Sequence, residues 1–300
     1  MRTRTPRVVI VTRPTELERV IARHGTRAQA AFFMRTYGQD IDLVQARHDT
    51  FSRALDAVLS SVPVDWRHTR VTRDQLDRFL FAPEDIIVAV GQDGLVANIA
   101  KYTSGQPVIG VNPDPGEHAG VLARHTPDAA ETLLRATADE RARLQARCMV
   151  EARLGAGLVL RALNEIFIGH ISHQAARYQL GFQERTERQI SSGVIVSTGT
   201  GATGWARSIL LQRRAAIEPP TPCEPRLLFL VREAYPSPSS SVDTVQGTLS
   251  KRESLQLVSQ MNHGGVVFGD GIEEDRLTFP FGMSLSVGLA EQTLQLVTGT

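Results

Sequence analysis

The sequence predicts two domains, an α/β domain over residues 1–125 and a β-rich domain over 126–300, on three observations. β-Branched runs alternate with amphipathic helical patterns in the first part, the grammar of a sheet with crossover helices. Short β-like runs separated by Gly, Pro and Ser clusters fill most of the second part. The chain's 300 residues are 42% hydrophobic, enough to bury a substantial core.

The elements follow in order. RVVIVT (7–12) is a short β-branched run suited to a buried parallel strand. PTELERVIARHG (14–25) reads as a helix with Pro14 near its first turn and Gly25 as its stop. DLVQARHDTFSRALDAVLSSV (42–62) keeps Leu43, Val44, Phe51, Leu55, Val58 and Leu59 near one stripe. DIIVAV (85–90) and PVIGVN (107–112) read as further strands, and ligands of such sheets lie beyond the strands' carboxyl ends. A charged helical stretch is expected from Thr126 to about Arg147. Beyond it come strand-like runs, among them LNEIFIGHIS, GVIVSTGT, RLLFLV, GVVFG, MSLSVGL and TLQLVT. The C-terminal end is a candidate for packing back on the first domain.

Thirty-three basic residues balance thirty-two acidic ones, for a formal net charge of +1, so nothing in the bulk charge points to nucleic acid or an acidic membrane surface. No run of eighteen apolar residues occurs and the N-terminal apolar run, Val8 to Val11, is too short for a secretory signal, which leads us to expect a cytoplasmic, membrane-free chain. Cys148 and Cys223 lack metal-ligand spacing and are too few for a disulfide framework. His170 and His173 have no evident third ligand, so no metal site is expected there.

Three segments could carry chemistry. In GQDGL, Asp93 lies between Gly91 and Gly94 where a strand ends; the carboxylate could take a proton from a hydroxyl while backbone N–H groups receive phosphate oxygens, or the Asp-Gly could be a simple turn. In ALNEIFIGH, Asn164 and Glu165 offer a donor and several acceptors suited to purine edges or ribose hydroxyls, or form a polar strand edge. In STGTGATGW, Gly199, Thr200, Gly201, Thr203 and Gly204 would let phosphates or a sugar approach the backbone, with Trp205 beside a base; a flexible turn is the alternative.

Taken together and in this order, GQDGL, LNE and TGTGATGW resemble the NAD kinase family, and within it the branch that includes the animal mitochondrial enzymes. PVIGVNPDP, CMVEARL and GDGI add similarity, so the resemblance runs over most of the chain. It implies an NAD kinase/diacylglycerol kinase-like two-domain fold with the active site between the domains. It implies transfer of the γ-phosphoryl group of ATP, with Mg²⁺, to the 2′-hydroxyl of the adenosine ribose of NAD. Carried over by position, Asp93 would be base or orienter; Gly91, Gly94, Gly199 and Gly201 would line phosphates; Asn164, Glu165, Thr200, Thr203, Gly204 and Trp205 would bind the dinucleotide. A homodimer or homotetramer is implied as well. Phosphoryl transfer asks a protein mainly for positioning and charge neutralisation, which fits this set.

The departures matter. Gln92 replaces the family's second loop glycine, Leu95 its threonine, Trp205 a tyrosine and Gly204 an alanine, and Ser192 stands where an Asp is frequent. One lost phosphate contact is worth roughly 3 kcal/mol, or about a hundredfold in rate, which leaves a weakened loop rather than a dead one. Competing readings are a kinase of another nucleotide, nucleoside or sugar hydroxyl, and a nucleotide-binding pseudokinase acting as a sensor. A lipid kinase is a third, opposed by the LNE and TGTGATGW segments and by the lack of a clear membrane-binding helix.

Overall fold

The computed structural model describes residues 5–117, 119–155 and 157–300. The chain divides into two compact units: Met1–Gln145 with Gln295–Thr300, and Ala146–Leu294.

In the first unit, β1 (Arg7–Thr12) leads through α1 (Glu16–His24), α2 (Arg27–Thr36) and α3 (Ile41–Ser60) to β2 (Arg67–Thr72). Then come β3 (Ile86–Val90), α4 (Asp93–Ala100), β4 (Pro107–Val111) and α5 (Ala130–Ala138). β1 pairs in parallel with both β2 and β3, and β3 pairs in parallel with β4. On the far side of β4, Gln295 and Leu296 pair in parallel with Pro107 and Val108. The near-continuous apolar strands are what burial on both faces requires: every residue of β3 and β4 is buried. One face packs Leu55 and Val58 of α3 and Leu133 and Leu134 of α5 on Val8, Ile10, Val88 and Ile109. At the strand edge Arg7 forks onto the fully buried Asp85, with Nε to Oδ1 at 2.8 Å and a second bond at 2.6 Å.

In the second unit, β5 (Arg143–Leu154) enters from the first and pairs with β6 (Leu158–Ala162). β7 (Glu165–His170), β8 (Ala176–Phe182), β9 (Arg185–Ser191), β10 (Val194–Ser197) and α6 (Trp205–Arg213) follow. The remaining strands are β11 (Leu227–Val231), β12 (Gln246–Leu249), β13 (Ser254–Ser259), β14 (Gly265–Gly269), β15 (Ile272–Thr278) and β16 (Ser284–Gly299). One antiparallel sheet has the order β12-β11-β10-β7-β14-β15; the strands of another follow β16-β13-β8-β9. Alternate residues of both meet in a core that includes Ile166, Tyr178, Val196, Phe229, Leu257 and Phe279.

Several expectations are corrected. The unit boundary falls at Gln145 rather than at residue 125, because α5 packs on the first unit's core. The helix expected to reach Arg147 stops at Ala138: Glu140 turns left-handed (φ 58°), Arg141 N–H bonds back to Ala136, and a strand begins at Arg143. MSLSVGL and TLQLVT are one continuous strand, β16. Asp93 does not lie in an open loop; it is the first residue of α4, with Gln92 as the N-cap.

Candidate functional site

At the carboxyl end of β3, Gly91 N–H bonds to Val111 at 2.9 Å, tying the turn to β4. Asp93 then places its carboxylate under a second segment of the chain: Oδ2 accepts from Val121 N–H (3.0 Å), Oδ1 from Leu122 (2.9 Å) and Ala123 (2.8 Å). That segment crosses β4 so closely that a Cβ on Gly110 would lie 2.2 Å from the Leu122 carbonyl. The carboxylate is therefore a clamp between α4 and the crossing chain. Gly94 is exposed beside it, with open space where a Cβ would be. Leu95 is turned into the core at 2% exposure, its side chain filling the space over Gly91.

Gln92 is exposed and its Oε1 accepts from Arg13 at 3.2 Å. Both line a pocket of about 370 Å³ with Arg19, Arg47, His48, Gly91, Asn112 and Asp114. Burial, then Arg19 and Arg73, lower the pKa of Arg13, so an anion in this pocket would relieve it. Arg13 and Arg19 were not singled out by the sequence; the TRPTELER run after β1 carries the signal only once Gln92 is known to face it.

In the second unit, Thr198 organises the glycine loop. Its hydroxyl donates to the Leu163 carbonyl (2.6 Å) and accepts from Thr200 N–H (3.1 Å) and Gly201 N–H (3.2 Å). Its own N–H bonds to the Asn164 carbonyl at 2.9 Å. Gly201 sits directly on Asn164, where a Cβ would come within 2.2 Å of the Asn164 carbonyl. A one-turn 3₁₀ segment, Gly201–Thr203, then opens into α6, and the Thr203 hydroxyl donates to the Thr200 carbonyl at 3.0 Å.

A third segment completes this cradle. Asp270 and Gly271, both left-handed (φ 55° and 68°), form the tight turn between β14 and β15 that Asp-Gly favours. The Asp270 carboxylate accepts from Leu163 N–H (3.0 Å) and Asn164 N–H (2.7 Å), and Asp270 N–H donates to the Glu165 carbonyl (3.0 Å). Asp270's role in holding Asn164 is not legible in the GDGI segment because its partners lie over a hundred residues away.

Among the described residues, neither the Asn164 side-chain amide nor the Glu165 carboxylate makes a protein hydrogen bond, and the buried Thr200 hydroxyl has no partner. Burial first, and the Asp270 charge second, push the Glu165 carboxyl up to about 7. Trp205 is 37% exposed but flanked: its ring lies near-parallel to Phe167, 5.9 Å between centroids, and the Arg232 guanidinium is 5.0 Å from it. The structure thus brings Asn164, Glu165, Gly199, Thr200, Gly201, Thr203, Gly204 and Trp205 together in one unit, and Gly91, Asp93 and Gly94 in the other. His170 ends β7 and accepts at Nδ1 from the Ser172 N–H at 3.1 Å, a structural role. No group of three or more metal-binding side chains occurs among the described residues.

An α/β unit with a strand-to-helix Gly-Gln-Asp-Gly turn is thus followed by a β-rich unit with a threonine-glycine cradle. No family model matches the chain. It is 26% identical over 266 residues to NAD kinase 2, mitochondrial, of Rattus norvegicus, covering 72% of this chain and 63% of that protein. For the Homo sapiens protein of the same name the identity is also 26%, with 72% and 60% covered. The chain thus spans about 60% of the length of the curated relatives it matches. Its fold matches yeast NADH kinase complexed with NADH (TM-score 0.64, 14% identity, 99% of this chain and 85% of that one). It also matches an NAD kinase from Archaeoglobus fulgidus in complex with ATP (TM-score 0.60, 15% identity, 98% and 94%). The chain is thus similar to NAD kinases in sequence over 72% of its length and shares their fold.

Proposed function

We propose that the chain transfers the γ-phosphoryl group of ATP to the 2′-hydroxyl of the adenosine ribose of NAD or NADH. The observation that carries this reading is the second unit's cradle. Thr198 and Asp270 use main-chain bonds to fix two touching loops, and they leave the Asn164 amide, the Glu165 carboxylate and the Thr200 hydroxyl unspent. A rigid frame carrying free polar groups is what dinucleotide recognition requires, since unpaired buried polar groups are costly unless a ligand meets them.

Asp93 acts in this reading as a positioning residue. With both oxygens on main-chain N–H groups it fits the orienting role better than that of a proton acceptor. Glu165 is the carboxylate able to exchange a proton near neutral pH. Arg13 and Arg19 would meet donor phosphates. Mg²⁺ binds chiefly through substrate phosphates and keeps its waters, so it fits a pocket with one or two acids, here Asp114 and Glu117, rather than a protein cage. Held there, the cation would neutralise charge on the transferring group. Two or four copies would assemble, which light scattering would measure.

The test is a coupled assay with ATP, Mg²⁺ and NAD or NADH, following the phosphorylated product through a dehydrogenase specific for it. Product formed by the wild type and lost in Glu165→Gln supports the reading. Binding of NAD without product favours the second reading, a dinucleotide sensor, for which the buried Leu95 and the committed Asp93 are the specific observations.

A further inference from the structure

The chain has two cysteines, Cys148 and Cys223, 75 residues apart and both free thiols. Cys148 lies in β5 at 6% exposure, and Cys223 is exposed in the turn before β11. The Cys148 N–H bonds to the Pro222 carbonyl at 3.4 Å, and its thiol to the Cys223 carbonyl at 3.4 Å. One hydrogen bond therefore runs from Cys148 to the Cys223 backbone and a second to its neighbour Pro222, so the two cysteines are adjacent across β5 and the turn before β11.

The turn carrying Cys223 is tightly built. Thr221 N–H donates to Glu224 Oε2 (2.9 Å), Glu224 N–H to the Thr221 carbonyl (3.0 Å), and Arg226 pairs with Glu224 at 2.6 Å. The turn also backs directly onto the glycine loop: a Cβ on Gly199 would lie 1.9 Å from the Thr221 carbonyl and 2.7 Å from Pro222 N. The turn that carries Cys223 is thus packed on the Gly199 loop.

We propose that Cys148 and Cys223 are a thiol–disulfide pair, oxidised by a small-molecule disulfide, whose closure pins the 221–224 turn against the Gly199 loop. The Cys223 thiolate attacks one sulfur of oxidised glutathione and expels a first glutathione. The Cys148 thiolate then attacks the Cys223 sulfur and expels the second. Two electrons and two protons pass to the expelled glutathione, so that the two thiols and one oxidised glutathione become one disulfide and two reduced glutathiones. Burial, then Cys223 and Glu224, hold the Cys148 thiol above its ordinary range, which makes the second attack the slower step. This inference is independent of the phosphotransfer reading.

The experiment incubates the full chain with oxidised glutathione, then measures intact mass, a non-reduced peptide map and amide hydrogen exchange over residues 198–204. The expected result is a mass lower by two hydrogen atoms, a 148–223 cross-linked peptide and exchange slowed about tenfold in that loop. All three should revert with dithiothreitol. C148S should instead keep one glutathionyl group on Cys223. A wild type that accumulates the same adduct, does not react, or cross-links with unchanged loop exchange would overturn the proposal.

Discussion

In the first unit Asp93 spends both carboxylate oxygens on the N–H groups of Val121, Leu122 and Ala123, and the buried Asp85 is forked by Arg7. In the second unit Glu165 has no such partner and is pushed up to about 7 by burial and by Asp270. The difference teaches that a carboxylate's surroundings, and not its place in a motif, decide whether it is spent on backbone or left open. A fully hydrogen-bonded carboxylate holds backbone in place, whereas a desolvated, unpartnered one is costly to the fold and available to a ligand.

The sharpest way to break this contrast is to remove a partner in the first unit. Arg7→Ala leaves Asp85 buried without its fork and should destabilise the protein by about 3–5 kcal/mol in denaturant unfolding. Glu165→Gln should act in the opposite direction. Because the folded-state pKa of Glu165 is raised, its favourable contribution is fully present below about pH 4.5 and is lost as pH rises through about 7. The variant should therefore be more stable than wild type at about pH 8, by at most about 3 kcal/mol, and lose that advantage in acid. Asp93→Asn is the smallest of the three: it sets an amide N–H against main-chain donors and should cost about 1–3 kcal/mol in stability. It should lower turnover through the displaced turn while leaving the pH profile where it was.

Much of this was legible locally. β1, β3 and β4 announce themselves as unbroken β-branched runs, and the three loop segments fall where a strand ends or begins. What was not legible depends on distant partners. The clamp by Asp93 reaches 28 to 30 residues ahead, and Asp270 reaches back more than a hundred to Leu163 and Asn164. β2, RHTRVT, lacks the apolar run of its neighbours because it is an edge strand with mostly uncovered side chains, so nothing in its composition marks it. The helical stretch to Arg147 was overextended because Asp139 and Glu140 are tolerated in helices, and only the left-handed turn at Glu140 stops α5. Trp205 reads as a free aromatic beside a base, yet Phe167 and Arg232 already flank its ring.

The most direct test of the central claim is the pH dependence of NADH and NAD binding by calorimetry, from about pH 6 to about pH 8, for the wild type, Glu165→Gln and Asp93→Asn. If the Glu165 carboxylate accepts ribose hydroxyls, wild-type and Asp93→Asn affinities rise together through about pH 7, and the Glu165→Gln profile is flat. A Glu165→Gln profile that still rises, or one abolished in Asp93→Asn alone, would contradict the account and return the titrating role to the first unit.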